Sequence, residues 1–246
     1  MGTFALTYPQ LMNQAIAAGA DAAALARLRA AYELAEQVAD GIYRPQGEPL
    51  LCHLVRTASI VLAEGQAPPV VHAALLHALY SVRRHVGSGG AHSSRRTWLR
   101  RVVGSEVEQL VFAYDQLPWN SPARLERHVA EFGGYDQTTR RVVLMRLANE
   151  LEDHLDRSAA YASAELARRR QECRDSCLAL ARAAGSPALV SALEQAYGGQ
   201  LHPPLPAAVV VGREQGYTLR GKRWPELSRL RGMVRSLMRR LRGRCA

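Results

Sequence analysis

Apolar residues recur at helical spacing through most of this chain, and this pattern constrains it to an α-helical fold. In residues 9–39, for example, Ala, Leu and Glu dominate, and Leu25, Leu28 and Tyr32 fall about one turn apart. Pro- and Gly-rich breaks separate such segments, because proline cannot continue a helix interior. The pattern predicts an all-α bundle with helices over residues 9–39, 50–65, 70–82, 95–116, 121–132, 137–160, 164–184 and 186–197.

The segment from Gly198 to Pro206 is the clearest boundary in the sequence, since it contains three prolines and two glycines. It predicts a helical domain over residues 1–197 and a C-terminal extension over residues 198–246. Within the extension, residues 207–211 and 216–220 are candidates for the two strands of a short hairpin.

The C-terminal extension also holds almost all of the net charge. The chain carries a net charge of +10, and residues 212–246 contain eleven Lys and Arg against Glu214 and Glu226. Residues 225–242 are predicted to form a basic amphipathic helix, because leucines recur on one stripe among the arginines. Three interpretations stay open: this helix docks on the body through its leucines, binds a membrane surface or an acidic protein, or binds nucleic acid.

Several classes of protein are excluded by what the sequence lacks. No apolar run approaches the roughly 18–20 residues that span a bilayer, and residues 1–10 have neither the basic region nor the apolar core of a secretory signal. We therefore expect a cytoplasmic protein. The four cysteines show no disulfide framework or zinc-ligand spacing, and no P-loop or Rossmann fingerprint occurs.

Two histidines follow motifs that indicate a hydrolase-like site. The segment Arg44-Pro-Gln-Gly-Glu-Pro-Leu-Leu-Cys leads to His53, and Ala73-Ala-Leu-Leu leads to His77. With three further segments, they resemble in order the hydrolase (HD) domain of RelA/SpoT-type guanosine polyphosphate enzymes. The resemblance covers roughly residues 25–160 and implies an HD-like helical bundle. The further segments are Ala31–Ala35, Gly104–Val111 and Arg141–Asn149.

The resemblance implies a metal site, but the acidic half of that site is missing. In the family, two histidines and two aspartates hold a divalent cation, usually manganese, and a Glu-Asp pair helps to activate water. Ala78 and Asn149 stand at the aspartate positions, and Ser81 and Val82 at the Glu-Asp pair. A hard cation prefers charged oxygen ligands, and bound metal is what acidifies the water. We therefore expect no cofactor and no metal-dependent hydrolysis of guanosine polyphosphates.

The residues that remain predict a pocket for a small anionic ligand. Arg44 matches a family position that contacts the guanine nucleotide, and arginine suits anions through its planar donor fork. The candidate catalytic residues are His53, His77 and Tyr80. The candidate ligand-binding residues are Arg44, Arg56, Thr57, Ser81, Arg83 and Asn149.

A plainer interpretation stays open for the same residues. Tyr80 and Ser81 would fill the space left by the metal, and the two histidines would be satisfied core residues. If a metal is bound at all, the expected ligands are His53, His77 and Asp153, since Asp153 shares a helix face with Asn149. Otherwise the residues Glu152, Asp153 and Asp156 are predicted to form a solvated acidic face.

Two hypotheses for function follow. In the first, the chain is a catalytically altered HD-fold protein that binds a small, phosphorylated or carboxylated ligand without hydrolysing guanosine polyphosphates. In the second, it is an enzyme of new specificity, in specialised metabolism for example, that uses His53 and His77 for acid–base or atypical-metal chemistry. The sequence leaves the oligomeric state open.

Overall fold

The computed structural model describes residues 4–85, 92–199 and 205–219. The predicted all-α class is confirmed, because the described residues are helical apart from short turns and one two-stranded sheet. The elements are α1 (Tyr8–Ala17), α2 (Ala22–Ala39), β1 (Ile42–Tyr43), α3 (Leu50–Ala63), α4 (Pro68–Leu76), α5 (Leu79–His85), α6 (His92–Val103), α7 (Ser105–Gln116), α8 (Pro122–Glu131), α9 (Gln137–His154), α10 (Ser158–Ala162), α11 (Ala164–Glu172), α12 (Arg174–Ala183), α13 (Pro187–Gly199) and β2 (Tyr217–Thr218).

Several predicted helices are each divided into two, and glycines mark two of the breaks. Gly19 separates α1 from α2 at φ +85°, and Gly104 separates α6 from α7 at φ +90°. These left-handed conformations end a helix at little cost only for glycine. The predicted helix over residues 70–82 breaks at His77 and Ala78 instead, so that His77 lies just beyond the end of α4.

The core is built around α3, α4 and α9, which pack against one another. Ala58 of α3, Ala73 and Ala74 of α4, and Ala148 of α9 are completely buried. Small side chains let the helix backbones approach closely. Polar residues on the facing sides of these helices are therefore buried between them, as His53 of α3 and Glu152 of α9 are. Every residue of α4 from Val70 to Leu76 is buried.

The predicted hairpin within the extension is wrong. Residues 217–218 do form a strand, but it pairs antiparallel with β1, with Ile42 opposite Thr218 and Tyr43 stacked on Tyr217 at 5.4 Å between ring centroids. Residues 207–209 form a 3-10 turn instead of a strand. The physical reason is that the N–H groups of Val211 and Arg213 donate to carbonyl oxygens of α10, which ties this part of the extension to the body.

Three further predictions concern the basic helix, membrane spans and disulfides, and the described residues test only some of them. The predicted basic helix at residues 225–242 lies outside the described residues. Within the part that the structure describes, no helix combines the length and apolar content needed to cross a membrane. Cys52, Cys173 and Cys177 are free thiols, in agreement with the expected lack of a disulfide framework.

Replacement of Gly216 by valine is expected to release the extension from the body. A Cβ atom at Gly216 would lie 2.6 Å from the backbone oxygen of Tyr43, so strand β2 would have to move away. We expect trypsin to cut after Arg213 roughly fivefold faster in Gly216→Val than in the wild type, because local opening controls cleavage. Gly133→Ala is the matched control, since a Cβ there meets open space. Equal cleavage of both variants would contradict the assignment.

Candidate functional site

His53 and His77 meet in the interior of the bundle. The Nε2 atoms of the two rings lie 3.2 Å apart, and both side chains are buried. The Nδ1–H of His77 donates to the carbonyl oxygen of Ala74 at 2.7 Å. Burial, followed by the neighbouring His53, lowers the pKa of His77 to about 3, so this ring is neutral at pH 7. A neutral His77 with its proton on Nδ1 presents a lone pair at Nε2, which accepts a hydrogen bond from His53.

The acidic residues near the end of α9 lie inside this site, and their prediction as a solvated face is wrong. The side chains of Glu152 and Asp153 are 1% and 2% exposed. Glu152 Oε2 contacts His53 Nδ1, whereas the side chain of Asp156 lies outside what the structure describes. Burial favours a higher pKa for both carboxyl groups, but neighbouring groups outweigh it: His53 and Arg44 for Glu152, Arg170 and Arg44 for Asp153. Both pKa values are therefore lowered, and both groups are carboxylates.

Arg44 brings its guanidinium group against all of these residues. Its Nη1 lies 2.8 Å from His53 Nδ1 and 2.6 Å from Glu152 Oε2, and its Nη2 donates to Asp153. A tight turn positions the arginine, since its backbone N–H donates to the Glu48 oxygen at 2.8 Å and its own carbonyl accepts from Gly47. Burial favours a lower pKa for Arg44, but Asp153 and Glu152 outweigh it and raise the pKa. The arginine predicted to bind a ligand thus binds the protein's own carboxylates.

We call His53, His77, Arg44, Glu152 and Asp153 the central cluster. Around it, Asn149 accepts from the hydroxyl of Tyr114 at 3.1 Å and donates to Asp153 at 2.9 Å. Arg170 also donates to Asp153.

Positively charged groups do not outnumber carboxyl groups in and around the central cluster. Arg56 lies 3.9 Å from both Glu48 and Glu152, and Arg170 lies 3.8 Å from Glu150. Three guanidinium groups (Arg44, Arg56 and Arg170) therefore face four carboxyl groups. This balance does not favour an anion at the central cluster.

Several predicted site residues lie apart from the central cluster. The hydroxyl of Tyr80 donates to the buried Glu108 at 3.0 Å, and Arg96 and Arg100 complete that carboxylate's partners. Thr57 donates to the backbone oxygen of His53. The exposed Ser81 donates to the oxygen of Ala78, and the side chain of Arg83 lies outside the described part of the chain. Tyr80 is therefore a partner of Glu108 and not of His77.

The donor atoms at this site do not fit the manganese site that the resemblance implies. Ala78 has no donor atom, and the amide of Asn149 is bonded to Tyr114 and Asp153. In the described residues, the set whose donor atoms converge as metal ligands is His53, Glu152 and Asp153, in place of the expected His53, His77 and Asp153. Arg44 donates to these same three residues.

Sequence reasoning missed Glu152 and Arg170 as members of this site. Each sits in a charged stretch of a helix, and such stretches are most often solvated. The available signal was that Arg44 and Arg56 needed counter-charges if the loop and α3 were buried. The sequence pattern brought Asp153 of α9 to the site only as a possible metal ligand, and it did not indicate that Glu152 lies beside it.

Comparison with known proteins gives one limited match. Residues 33–118 are similar to a family described as a domain of unknown function (DUF6817). This segment contains Arg44, His53 and His77, and it ends before Glu152 and Asp153. No curated protein matches the chain.

The buried His72 gives a prediction for stability against pH. Burial, and then Arg27, lowers its pKa to about 4 from 6.5. Between these pH values the unfolded chain binds a proton that the folded chain does not, so stability falls as the pH falls. We expect His72→Gln to lose about 2 kcal/mol less than the wild type between pH 6.5 and 4. Urea unfolding at several pH values measures this, and parallel curves would contradict it.

Proposed function

We propose that this chain is an HD-like protein that has lost metal-dependent hydrolysis and binds a small anionic molecule in the cytoplasm. The observation that carries the proposal is that the residues at the family's four metal-ligand positions leave no metal site. The Nε2 atoms of His53 and His77 face each other at 3.2 Å. Ala78 offers no donor, and Asn149 is engaged by Tyr114 and Asp153.

The convergence of the matching segments supports the resemblance. His53 on α3 and His77 beside α4 are 24 residues apart in sequence, yet their rings are in contact. Asn149 comes from α9 and reaches the same place through Asp153. Three motifs that follow one another in the sequence thus meet at one point, as a shared ancestral site requires.

A surface pocket on the far end of α9 is the better place for an anionic ligand. It has a volume of about 290 Å³ and includes Gln137, Arg140, Arg141, Phe132 and Leu144 in its lining. The hydrogen bonds of Arg140 go to the neutral carbonyl oxygens of Tyr135 and Gly133, both at 2.9 Å. Such acceptors do not neutralise the guanidinium group, so its charge stays available to a phosphate or carboxylate.

A second candidate function rests on the contact between the two histidines. His77 holds a fixed tautomer and shares a hydrogen with His53, which is the arrangement that a proton relay needs. In this alternative the chain is an enzyme that uses metal-free acid–base chemistry. Turnover that disappears in His77→Asn but survives in Tyr80→Phe would favour it, since the Tyr80 hydroxyl is bonded to Glu108.

The loss of metal chemistry is tested with purified protein and guanosine polyphosphates. We expect no pyrophosphate release and no stoichiometric manganese in the wild type, measured by chromatography and elemental analysis. The variant Ala78→Asp with Asn149→Asp should bind manganese at least roughly tenfold more tightly, because it restores two carboxylates. Ala78→Asn is the neutral control. Stoichiometric manganese or pyrophosphate release with the wild type would overturn the proposal.

The ligand prediction is tested by thermal unfolding with nucleotides, phosphate and small carboxylates. We expect at least one anion to raise the melting temperature of the wild type by a few degrees, since a ligand that binds only the folded state stabilises it. Arg140→Gln should remove most of that shift. Arg127→Gln is the control, because Arg127 is an exposed residue paired with Glu131. A shift that Arg140→Gln leaves unchanged would exclude this pocket.

A further inference from the structure

The ring of His53 has two different sides. Its Nε2 atom faces His77, on the side where the resembled family places its metal. Its Nδ1 atom faces Glu152 and Arg44. The second side has no counterpart among the residues that the resemblance identifies, since Glu152 and Asp153 lie beyond the matched segment Arg141–Asn149.

A chain of hydrogen bonds presets the Nδ1 atom of His53 as an acceptor. The carbonyl oxygen of Ala74 accepts a hydrogen bond from the Nδ1–H of His77. A neutral His77 therefore has no hydrogen on Nε2, and this atom can only accept a hydrogen bond. His53 Nε2 must then carry the hydrogen, so a neutral His53 presents its lone pair at Nδ1. A second hydrogen bond that fixes the tautomer and direction of a histidine is how proteins prepare a histidine to ligate a cation.

The atoms around that lone pair require a cation. Nδ1 of His53 and Oε2 of Glu152 are in contact. With the hydrogen of His53 on Nε2, both of these atoms are acceptors. Asp153 adds a second carboxylate that is 2% exposed. Buried acceptors in contact are stable only when a shared positive charge joins them. Arg44 supplies it: Nη1 donates to the first two and Nη2 to Asp153.

We propose that His53, Glu152 and Asp153 form a divalent-cation site on the Nδ1 side of His53, and that the Arg44 guanidinium is a tethered cation that fills it. One imidazole and two carboxylates suit manganese, iron or zinc. In the wild type the arginine excludes the metal, and removal of the arginine creates a metal-binding protein. The inference rests on the proposed function only in that the wild type is taken to bind no metal.

The position of Arg44 depends on strand β1, which ends at the preceding residue. Tyr43 pairs with Tyr217 and stacks on its ring, and the N–H of Leu219 donates to the oxygen of Gly41 at 2.8 Å. These contacts fix β1 to the extension at Tyr43, the last residue of the strand, and at Gly41, which directly precedes it. Arg44 thus enters the cluster from a backbone that is fixed at two points.

The test compares the wild type with Arg44→Ala and Arg44→Gln, using manganese and zinc chlorides as the probes. We expect each variant to bind one ion, seen by isothermal titration calorimetry and, for manganese, by electron paramagnetic resonance. The wild type should bind at least roughly a hundredfold more weakly. The metal should raise the melting temperature of the variants by about 5 °C and leave that of the wild type unchanged.

Two further variants separate a specific site from a general effect. Adding Asp153→Asn to Arg44→Ala should weaken the gained binding at least roughly tenfold, because one of the charged ligands is lost. Arg29→Ala is the control for the removal of an arginine, since Arg29 pairs with Glu33 on the surface and should confer no metal binding.

Each outcome decides the inference. A folded Arg44→Ala that binds no ion would overturn it and leave the proposed function standing. If Arg44→Ala is unfolded without metal, folding on addition of manganese or zinc supports the inference, and failure to fold with either overturns it. Binding of one metal ion by the wild type would overturn the proposed function. The same result would overturn this inference as well if Arg44→Ala binds that ion no more tightly than the wild type does.

Discussion

The structure depends on the neutralisation of carboxylates that have been placed inside the bundle. Glu152 and Asp153 are almost completely buried, and an unpaired charge in such a position costs several kcal/mol. Arg44 comes from a loop 108 residues earlier in the chain than Glu152. Arg170 supplies the second cation for Asp153. This one set of contacts joins the β1 loop, α3, α9 and α11.

The helical scaffold determines which chemistry the two histidines can perform. α3 is buried along nearly all of its length, so His53 cannot reach solvent without disturbing the packing on α4 and α9. His77 is fixed by a backbone carbonyl and held neutral by burial. The pair is therefore suited to passing a hydrogen between two rings, and Ala78 and Asn149 add no carboxylate that would help a metal-bound water to become a nucleophile.

The sequence predicts the scaffold better than it predicts the site. Helical periodicity identified the all-α class, but glycines such as Gly19 and Gly104 divide helices that the pattern treats as continuous. The contact between His53 and His77 followed from the motifs. The burial of Glu152 and Asp153 did not, because a run of acidic residues near a helix end looks the same whether it faces water or a distant arginine. The hydrogen bond of Tyr80 was not predicted for a similar reason, since its partner Glu108 is on another helix.

The pairing of β2 with β1 has a mechanical consequence. The described chain ends at Leu219, beside Gly41, and the arginine-rich residues that follow carry most of the protein's net charge. Any anionic surface that captures those residues would pull on the strand that precedes Arg44. Electrostatic attraction on those residues would in this way be transmitted through β2 and β1 to the loop that supplies the buried guanidinium.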